Sequence, residues 1–309
     1  MRRARFRESL TDPEHEDKGD MSIKTGLVLE GGAMRGMFTC GVIDIFMENG
    51  IVFDGAAGVS AGATFGCNYK SGQIGRAFRY NKKYCRDPRY CSLRSLITTG
   101  DLYGADFCYR RLVNELDPFD REAFRSNPMA FYAVATDVRT GEAVYHNCTD
   151  GDDRDITWIR ASASMPVVSR PVKIDGNAYL DGGIADSIPY AYMQRIGYGR
   201  NVIVLTQPEG YRKKRSAAIP VMSILLHQYP AIAQAMAVRH ERYNRQIDEI
   251  AALEKSGDVF VIRPPEDLKI GRTENDPEKL ERVYQTGRNE AVRRLPEVKR
   301  YLAREGEKK

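Results

Sequence analysis

A serine set between two glycines, in the order Gly58-Val59-Ser60-Ala61-Gly62, is the first feature of this chain that suggests chemistry. An apolar run, Ile51 to Val59, precedes the serine and predicts a strand, and the small residues of Ala61 to Lys70 predict a helix. Flanking glycines let a strand turn sharply into a helix, which exposes the hydroxyl at the helix N-terminus. A purely structural turn can carry the same five letters, but the strand-then-helix context favours a serine nucleophile.

A glycine loop, Gly31 to Gly36, follows the short strand predicted at Leu27 to Leu29 and precedes the helix predicted at Met37 to Glu48. Free backbone N–H groups in such a loop can bind an anion. Both nucleotide interpretations fail, because the loop lacks G-x-G-x-x-G and the Gly-Lys-Ser/Thr of a P-loop. An oxyanion hole for an acyl intermediate and a structural turn are the interpretations that remain.

A carboxylate, in the order Asp181-Gly182-Gly183, follows a predicted hairpin whose turn is Asp175-Gly176-Asn177. This carboxylate could accept the proton of Ser60 if the fold brings the two together; otherwise it is an Asp at a turn. A serine nucleophile usually has a histidine base. None of the four histidines lies in a glycine-marked turn; they are His15, His146, His227 and His240.

Taken together, these segments resemble the patatin-like phospholipase family. Its signatures are an Asp-Gly-Gly-Gly-x-Arg/Lys-Gly loop, a Gly-x-Ser-x-Gly elbow and an Asp-Gly-Gly/Ala element, in that order, and the resemblance covers about residues 25 to 206. It implies a Ser-Asp dyad, with Ser60 as nucleophile and Asp181 as base, which makes a missing histidine expected. It also implies that the backbone of Gly31, Gly32 and Ala33 forms the oxyanion hole.

Two residues depart from the family pattern: Glu30 stands where Asp is usual, and Ala33 stands where a third glycine is usual. Ala33 is easily accommodated at a negative φ and costly at a positive φ. The supporting residues that the resemblance implies are Arg35, Gly36, Gly58, Gly62, Gly182 and Gly183. It implies no cofactor, and we expect no metal, since the chain shows neither a calcium loop nor a zinc spacing.

The element pattern predicts an α/β fold. Two successive strand-helix units indicate a mostly parallel sheet, and the resemblance implies three α/β/α layers. We expect a disordered extension at residues 1–20, a patatin-like catalytic domain at 21–207, and a mostly helical C-terminal extension at 208–309, because the character of the sequence changes near 208.

Composition limits the functional classes. The chain has 309 residues, 42% of them apolar and 29% charged, and its net charge of +5 is too diffuse to indicate nucleic-acid binding. No window predicts a membrane span or a secretory signal, and the six cysteines form no C-x-x-C pair, so we expect a cytoplasmic protein with free thiols. Peripheral membrane contact is predicted at the basic cluster Arg212 to Arg215 and the apolar stretch Ile219 to Leu226, where the alternative is a helix packed on the core.

The function predicted from these features is a serine hydrolase that cleaves fatty-acyl esters, with phospholipids or other acyl esters as substrates. One alternative is an α/β-hydrolase that uses Ser60, Asp181 and either His227 or His240. The other is a catalytically silent protein that binds lipid. Head group, acyl length and oligomeric state do not follow from the sequence.

Overall fold

A computed structural model describes residues 23–303, so the extension predicted at residues 1–20 lies outside the described residues. Within them, eight strands form one sheet. The strands are β1 (Thr25–Leu29), β2 (Gly55–Val59), β3 (Ala130–Asp137), β4 (Ala143–Cys148), β5 (Val172–Ile174), β6 (Asn177–Asp181), β7 (Arg200–Val204) and β8 (Val259–Ile262).

The centre of the sheet is parallel, in the order β3-β2-β1-β7-β8. Strands β4, β5 and β6 are antiparallel to their neighbours. Because β1, β2 and β7 run in one direction, their carboxyl ends share one edge of the sheet, where binding sites of open α/β folds usually lie.

Ten α-helices occur in the described part of the chain. They are α1 (Met37–Glu48), α2 (Ala61–Lys70), α3 (Arg76–Tyr84), α4 (Leu93–Thr99), α5 (Arg121–Ser126), α6 (Asp153–Ser162), α7 (Tyr190–Arg195), α8 (Ile219–Leu225), α9 (Pro230–Ser256) and α10 (Pro277–Leu302). Short 3₁₀ turns occupy Ala33–Gly36 and Gly182–Ile184, and a π-helix occupies Phe107–Leu116.

Helices cover both faces of the sheet because successive strand residues point to opposite faces. Leu27 and Leu29 are buried in a core with α1, α2, α6 and α10, whereas Val28 is buried in a second core with α7 and α9. The predicted three-layer α/β/α architecture with a mostly parallel sheet is confirmed.

The predicted helical C-terminal region is also present, and it completes the same sheet and core. Strand β8 pairs in parallel with β7, and α10 packs along α1. The two helices approach so closely that a Cβ on Gly41 would collide with the Tyr284 carbonyl oxygen, and one on Gly287 with the Phe38 carbonyl oxygen.

One predicted boundary differs from the structure for a local reason. Strand β2 begins at Gly55 rather than Ile51, because the Asp54 carboxylate accepts hydrogen bonds from the Thr25 N–H and hydroxyl at the point where pairing would start. Helix α6 begins at Asp153, where the Asp152 side chain caps it by accepting a hydrogen bond from the Asp155 N–H.

Candidate active site

Ser60 and Asp181 lie side by side because β2 and β6 both pair with the same side of β3, one after the other along its length. Strand β4 covers residues 131–136 of β3 on one edge, so β2 and β6 share the other edge. Parallel β2 ends with Val59 opposite Val134, and antiparallel β6 ends with Asp181 opposite Ala135. The residue after β2 therefore lies beside the last residue of β6.

Ser60 occupies a strained turn between β2 and α2. Its φ of 55° and ψ of −118° lie where side chains other than glycine are rare. The Ser60 N–H donates a hydrogen bond to Ser162 Oγ at 2.9 Å, which anchors the turn to α6. The glycines of the motif permit the close approaches of this turn: a Cβ on Gly58 would collide with the Gly62 carbonyl, and one on Gly62 with the Leu29 carbonyl.

The Asp181 carboxylate is buried, with 1% of the residue exposed. Its Oδ1 accepts a hydrogen bond from the Gly183 N–H at 2.8 Å, while Oδ2 has no hydrogen-bond partner among the described residues. Burial raises the pKa of Asp181 above its ordinary value, against the opposing effects of the Ser60 hydroxyl and the Arg239 guanidinium. Ser60 favours the charged form of the carboxylate, although its hydroxyl forms no hydrogen bond of normal geometry with Asp181 Oδ2.

The glycine loop after β1 lies directly beside Ser60. A Cβ on Gly31 would lie 3.0 Å from Ser60 Cβ, and one on Gly32 would lie 2.6 Å from Thr206 Oγ1. The N–H groups of Gly31, Gly32 and Ala33 donate no hydrogen bond to another described residue. These donors are therefore available to a bound group next to the serine.

Glu30, the first departure from the family pattern, is a buried anchor for this loop. Its Oε2 accepts hydrogen bonds from the Thr206 N–H at 2.6 Å and hydroxyl at 3.1 Å, and its Oε1 accepts one from the Tyr243 hydroxyl at 2.8 Å. The carboxylate therefore joins the ends of β1 and β7 to helix α9.

Ala33, the second departure, has a φ of 50°, which is the costly case for a residue with a Cβ. An L-residue in the left-handed region pays roughly 1–2 kcal/mol that glycine does not. We therefore expect Ala33→Gly to raise the free energy of unfolding by about 1 kcal/mol, measured by denaturant titration.

The matched control is Ala252→Gly, an exposed position inside α9, where the same change should lower the free energy of unfolding by about 1 kcal/mol. If Ala33→Gly also lowers the free energy of unfolding, glycine gives the loop no advantage over alanine and the prediction is contradicted.

The other supporting residues also surround the turn. Gly36 lies against Phe65 and Ala61 at the start of α2, and Gly182 against the Val134 carbonyl. A Cβ on Gly183 would lie 3.0 Å from Asp181 Oδ1 and 3.1 Å from Arg239 Nη2. Arg35 lines the cavity described next, and its buried Nε has no hydrogen-bond partner among the described residues.

Ser60 and Asp181 open into a cavity of about 490 Å³. One part of its lining, the apolar wall, consists of aromatic and aliphatic side chains from α2, α3, the π-helix and α6: Phe65, Tyr80, Tyr109, Leu112, Val113, Ile156 and Ile159. Another part, the cationic wall, consists of Arg35, Lys213, Arg239 and Arg272. The cavity can thus accommodate a molecule with a long apolar portion and a charged portion.

No histidine of the described chain lines this cavity. The His227 ring lies against the Ile224 carbonyl, and His240 Nε2 lies 3.6 Å from a carboxylate oxygen of Glu241. The alternative triad with His227 or His240 is therefore not assembled in this structure.

Away from the cavity, His146, Cys148 and Asp155 have potential metal-ligating atoms within 4.8 Å of one another. The Asp155 carboxylate already accepts hydrogen bonds from His146 and from the N–H groups of Asp150 and Gly151. The His146 ring also stacks on Trp158, so the cluster is accounted for as a brace between β4 and α6.

The family model described as patatin-like phospholipase matches residues 27–193, more than half of the chain. The chain belongs to the patatin-like phospholipase family. A second model, described as a domain of unknown function (DUF6363), matches residues 229–303, which contain α9, β8 and α10.

Curated relatives of this chain extend beyond the matched regions. An uncharacterised NTE family protein of Mycobacterium bovis is 29% identical over 174 residues, which are 56% of this chain and 46% of that protein. The uncharacterised protein YjjU of Escherichia coli is 32% identical over 193 residues, 60% of this chain and 52% of that protein. The lysophospholipase nte1 of Aspergillus oryzae is 26% identical over 286 residues, 85% of this chain and 17% of that protein. The chain spans about half the length of the first two.

The patatin-like site contains residues that the sequence analysis did not select. Ser162 anchors the Ser60 turn, and Arg239 and Arg272 line the cavity from the C-terminal region. Their only signal in the sequence is residue type. Lys213, part of the basic cluster predicted to contact a membrane, lines the cavity and lies over the Tyr243 ring, and its neighbour Arg212 pairs with Asp248. Membrane contact by the rest of the cluster stays a prediction.

None of the helices within residues 23–303 combines the length and apolar character needed to cross a bilayer.

Proposed function

We propose that this protein is a serine hydrolase of fatty-acyl lipid esters that acts through Ser60 and Asp181. The observation that carries the proposal is the position of Ser60, on a strained turn beside a buried carboxylate with a free oxygen, inside a cavity with an apolar wall. The name of the lysophospholipase relative supports the same substrate class.

In the first step, Ser60 Oγ attacks the ester carbonyl carbon while Asp181 Oδ2 accepts the hydroxyl proton. The C–O double bond becomes an oxyanion, which the N–H groups of Gly31, Gly32 and Ala33 stabilise. Collapse of this intermediate breaks the ester bond, and the departing alcohol takes the proton from Asp181. The acyl group remains on Ser60.

In the second step, water attacks the acyl-enzyme and Asp181 again accepts the proton, which then returns to Ser60 as the fatty acid leaves. A carboxylate in water is a poor base for an alcohol. Burial of Asp181 strengthens it as a base, since it raises the pKa of the carboxyl group.

Covalent labelling tests this proposal directly. We expect a fluorophosphonate probe to modify the intact protein once, with the label on the peptide that contains Ser60, and Ser60→Ala to abolish labelling. Ser169→Ala, at another serine of the cavity lining, serves as the control and should leave the label on Ser60. A label on another serine, or none on the folded wild type, would refute the proposed nucleophile.

The pH profile of kcat/KM should show an acidic limb set by Asp181. The base acts only when deprotonated, so the rate should fall as pH decreases through its pKa, tenfold per pH unit below it. Because burial raises this pKa, the limb should lie above the value of about 3.9 for an unperturbed aspartate. A rate that stays constant down to about pH 4, with the fold intact, would contradict this assignment.

We also propose that α8 contacts the lipid surface from which the substrate is taken. Val221, Ile224 and Leu225 on α8 are 60%, 72% and 56% exposed, whereas Met222 on the same helix lines the cavity. An apolar face at the entrance of a lipid site is the arrangement of an interfacial helix, and the exposed Lys214 and Arg215 precede it.

Replacement of Val221, Ile224 and Leu225 by Ser should weaken binding to vesicles of phosphatidylcholine and phosphatidylglycerol by more than about tenfold, since each apolar side chain contributes roughly 1 kcal/mol or more. Cosedimentation measures the effect. The control replaces Val52 and Val292, which are 79% and 56% exposed and lie outside the cavity lining, by Ser. Equal binding of wild type and the α8 variant would contradict the proposed contact.

A further inference from the structure

The four side chains of the cationic wall differ from most other cations of the molecule in having no carboxylate partner. Arginines elsewhere are commonly paired with carboxylates; Arg76, another cation of the cavity lining, pairs with Asp117, and Arg212 pairs with Asp248. Within residues 23–303, none of the four side chains of the cationic wall forms an ion pair.

Most hydrogen-bond donors of the cationic wall are also unused by the described residues. Arg239 donates from Nε to the Gly183 carbonyl, which leaves both of its terminal nitrogens available. The buried Nε of Arg35 has no partner, and the Lys213 ammonium lies 4.2 Å from the centre of the Tyr243 ring. The guanidinium of Arg272 has no hydrogen bond within this part of the chain.

These cations act on one another across a small volume. Burial, together with the positive charges of Arg239, Arg35 and Arg272 and against the opposing effect of Glu30, lowers the pKa of Lys213 to about 7. Arg239 and Arg272 also act on Asp181. A single carboxylate at Glu30 cannot neutralise four cations, and none of them forms a hydrogen bond to it; its oxygens accept hydrogen bonds from Thr206 and Tyr243 instead. Mutual repulsion of this kind is relieved when an anion binds among the cations.

We propose that Arg239, Arg272 and Lys213, together with Arg35, bind the phosphate of an acyl glycerophospholipid whose head group carries no cation. Three of these residues come from the segment after residue 207, and two of them lie within the domain of unknown function. The C-terminal region therefore selects the head group, while the apolar wall receives the acyl chain.

The chemistry of the wall favours a phosphate monoester over a zwitterionic head group. A guanidinium binds phosphate oxygens through two parallel hydrogen bonds, and the wall offers three guanidinium groups and one ammonium. A choline group would bring a positive charge to the same four cations. The wall adjoins Ser60 through Arg239, Gly183 and Asp181, so phosphate and ester of one glycerol can be held together.

A binding experiment tests the subsite without requiring turnover. Calorimetry on Ser60→Ala, with decyl phosphate and decylphosphocholine below their micelle concentrations, should show at least tenfold tighter binding of decyl phosphate. Arg272→Gln with Lys213→Gln should remove this difference. The control replaces Arg245 and Lys255, exposed cations of α9 outside the cavity lining, by Gln, which makes the same change in net charge. It should retain the difference.

A turnover experiment tests the subsite as a determinant of specificity, and this part rests on the proposed hydrolase function. The ratio of kcat/KM for an acyl glycerophosphate to that for an acyl glycerophosphocholine with the same acyl chain should be at least 10 in the wild type. This ratio should fall at least tenfold in the double variant. It should also fall at least tenfold in Arg272→Gln alone, a variant that changes only an exposed side chain and therefore tests the subsite with little effect on folding.

The outcomes separate the two proposals. Equal binding of the two decyl ligands, or an unchanged ratio in the double variant, would overturn the phosphate subsite and leave the hydrolase intact. Inorganic phosphate that binds as tightly as decyl phosphate would show a free-anion site instead and would also overturn it. Absence of turnover for every ester, together with selective decyl phosphate binding, would refute the hydrolase and retain the subsite.

Discussion

Asp181→Asn should lower kcat/KM for hydrolysis of an acyl ester by at least about 10³-fold while the protein remains folded. The amide is the same size as the carboxylate and can still accept the Gly183 hydrogen bond, but it cannot accept the Ser60 proton. The free Oδ2 of the wild type has no other partner among the described residues, so the substitution removes the base without breaking a second hydrogen bond there.

The measurement is steady-state turnover of a soluble p-nitrophenyl ester, with circular dichroism and thermal unfolding as checks of the fold. Asp175→Asn, in the turn of the hairpin that leads to Asp181, is the matched control and should stay within about tenfold of wild type. The effect of Ser60→Ala combined with Asp181→Asn should be close to that of either change alone, because the two residues act as one unit. An Asp181→Asn enzyme with nearly full activity would eliminate the dyad.

Gly287→Val should destabilise the whole protein by about 3 kcal/mol or more, and lower its melting temperature by roughly 5 °C or more. The new Cβ would collide with the Phe38 carbonyl oxygen, which is backbone and cannot rotate away, so α10 would have to move off α1. We propose on this basis that residues 208–303 fold as one unit with the catalytic region.

The matched control is Asn289→Val, an exposed position of the same helix, where the change should stay within about 0.5 kcal/mol. Denaturant unfolding monitored by circular dichroism compares the two variants. If Gly287→Val unfolds in two transitions, with the first confined to the C-terminal helices, the single folding unit is refuted.

Local chemistry explains what the sequence alone could predict. The helix predicted at Met37 to Glu48 agrees with α1 at both ends, because the glycine loop before it and Asn49-Gly50 after it mark the boundaries within a few residues. Each of the three glycine motifs marks the end of a strand, and the three-layer fold was predictable because the motifs together resemble the patatin-like phospholipase family. For Ala33, the sequence predicts an energetic cost only if its φ is positive, and the structure shows that it is.

Tertiary structure alone decided which residues meet. Ser60 and Asp181 are 121 positions apart, and they adjoin because β2 and β6 share one edge of β3, a pairing that no local pattern encodes. Lys213, Arg239 and Arg272 are ordinary surface residue types by composition, and they line the same cavity only because α9 and the chain after β8 fold back over the carboxyl edge of the sheet. The sequence determined the turn at Ser60, since a turn depends on neighbouring residues. Long-range pairing decided where Asp181 lies and which charges surround it.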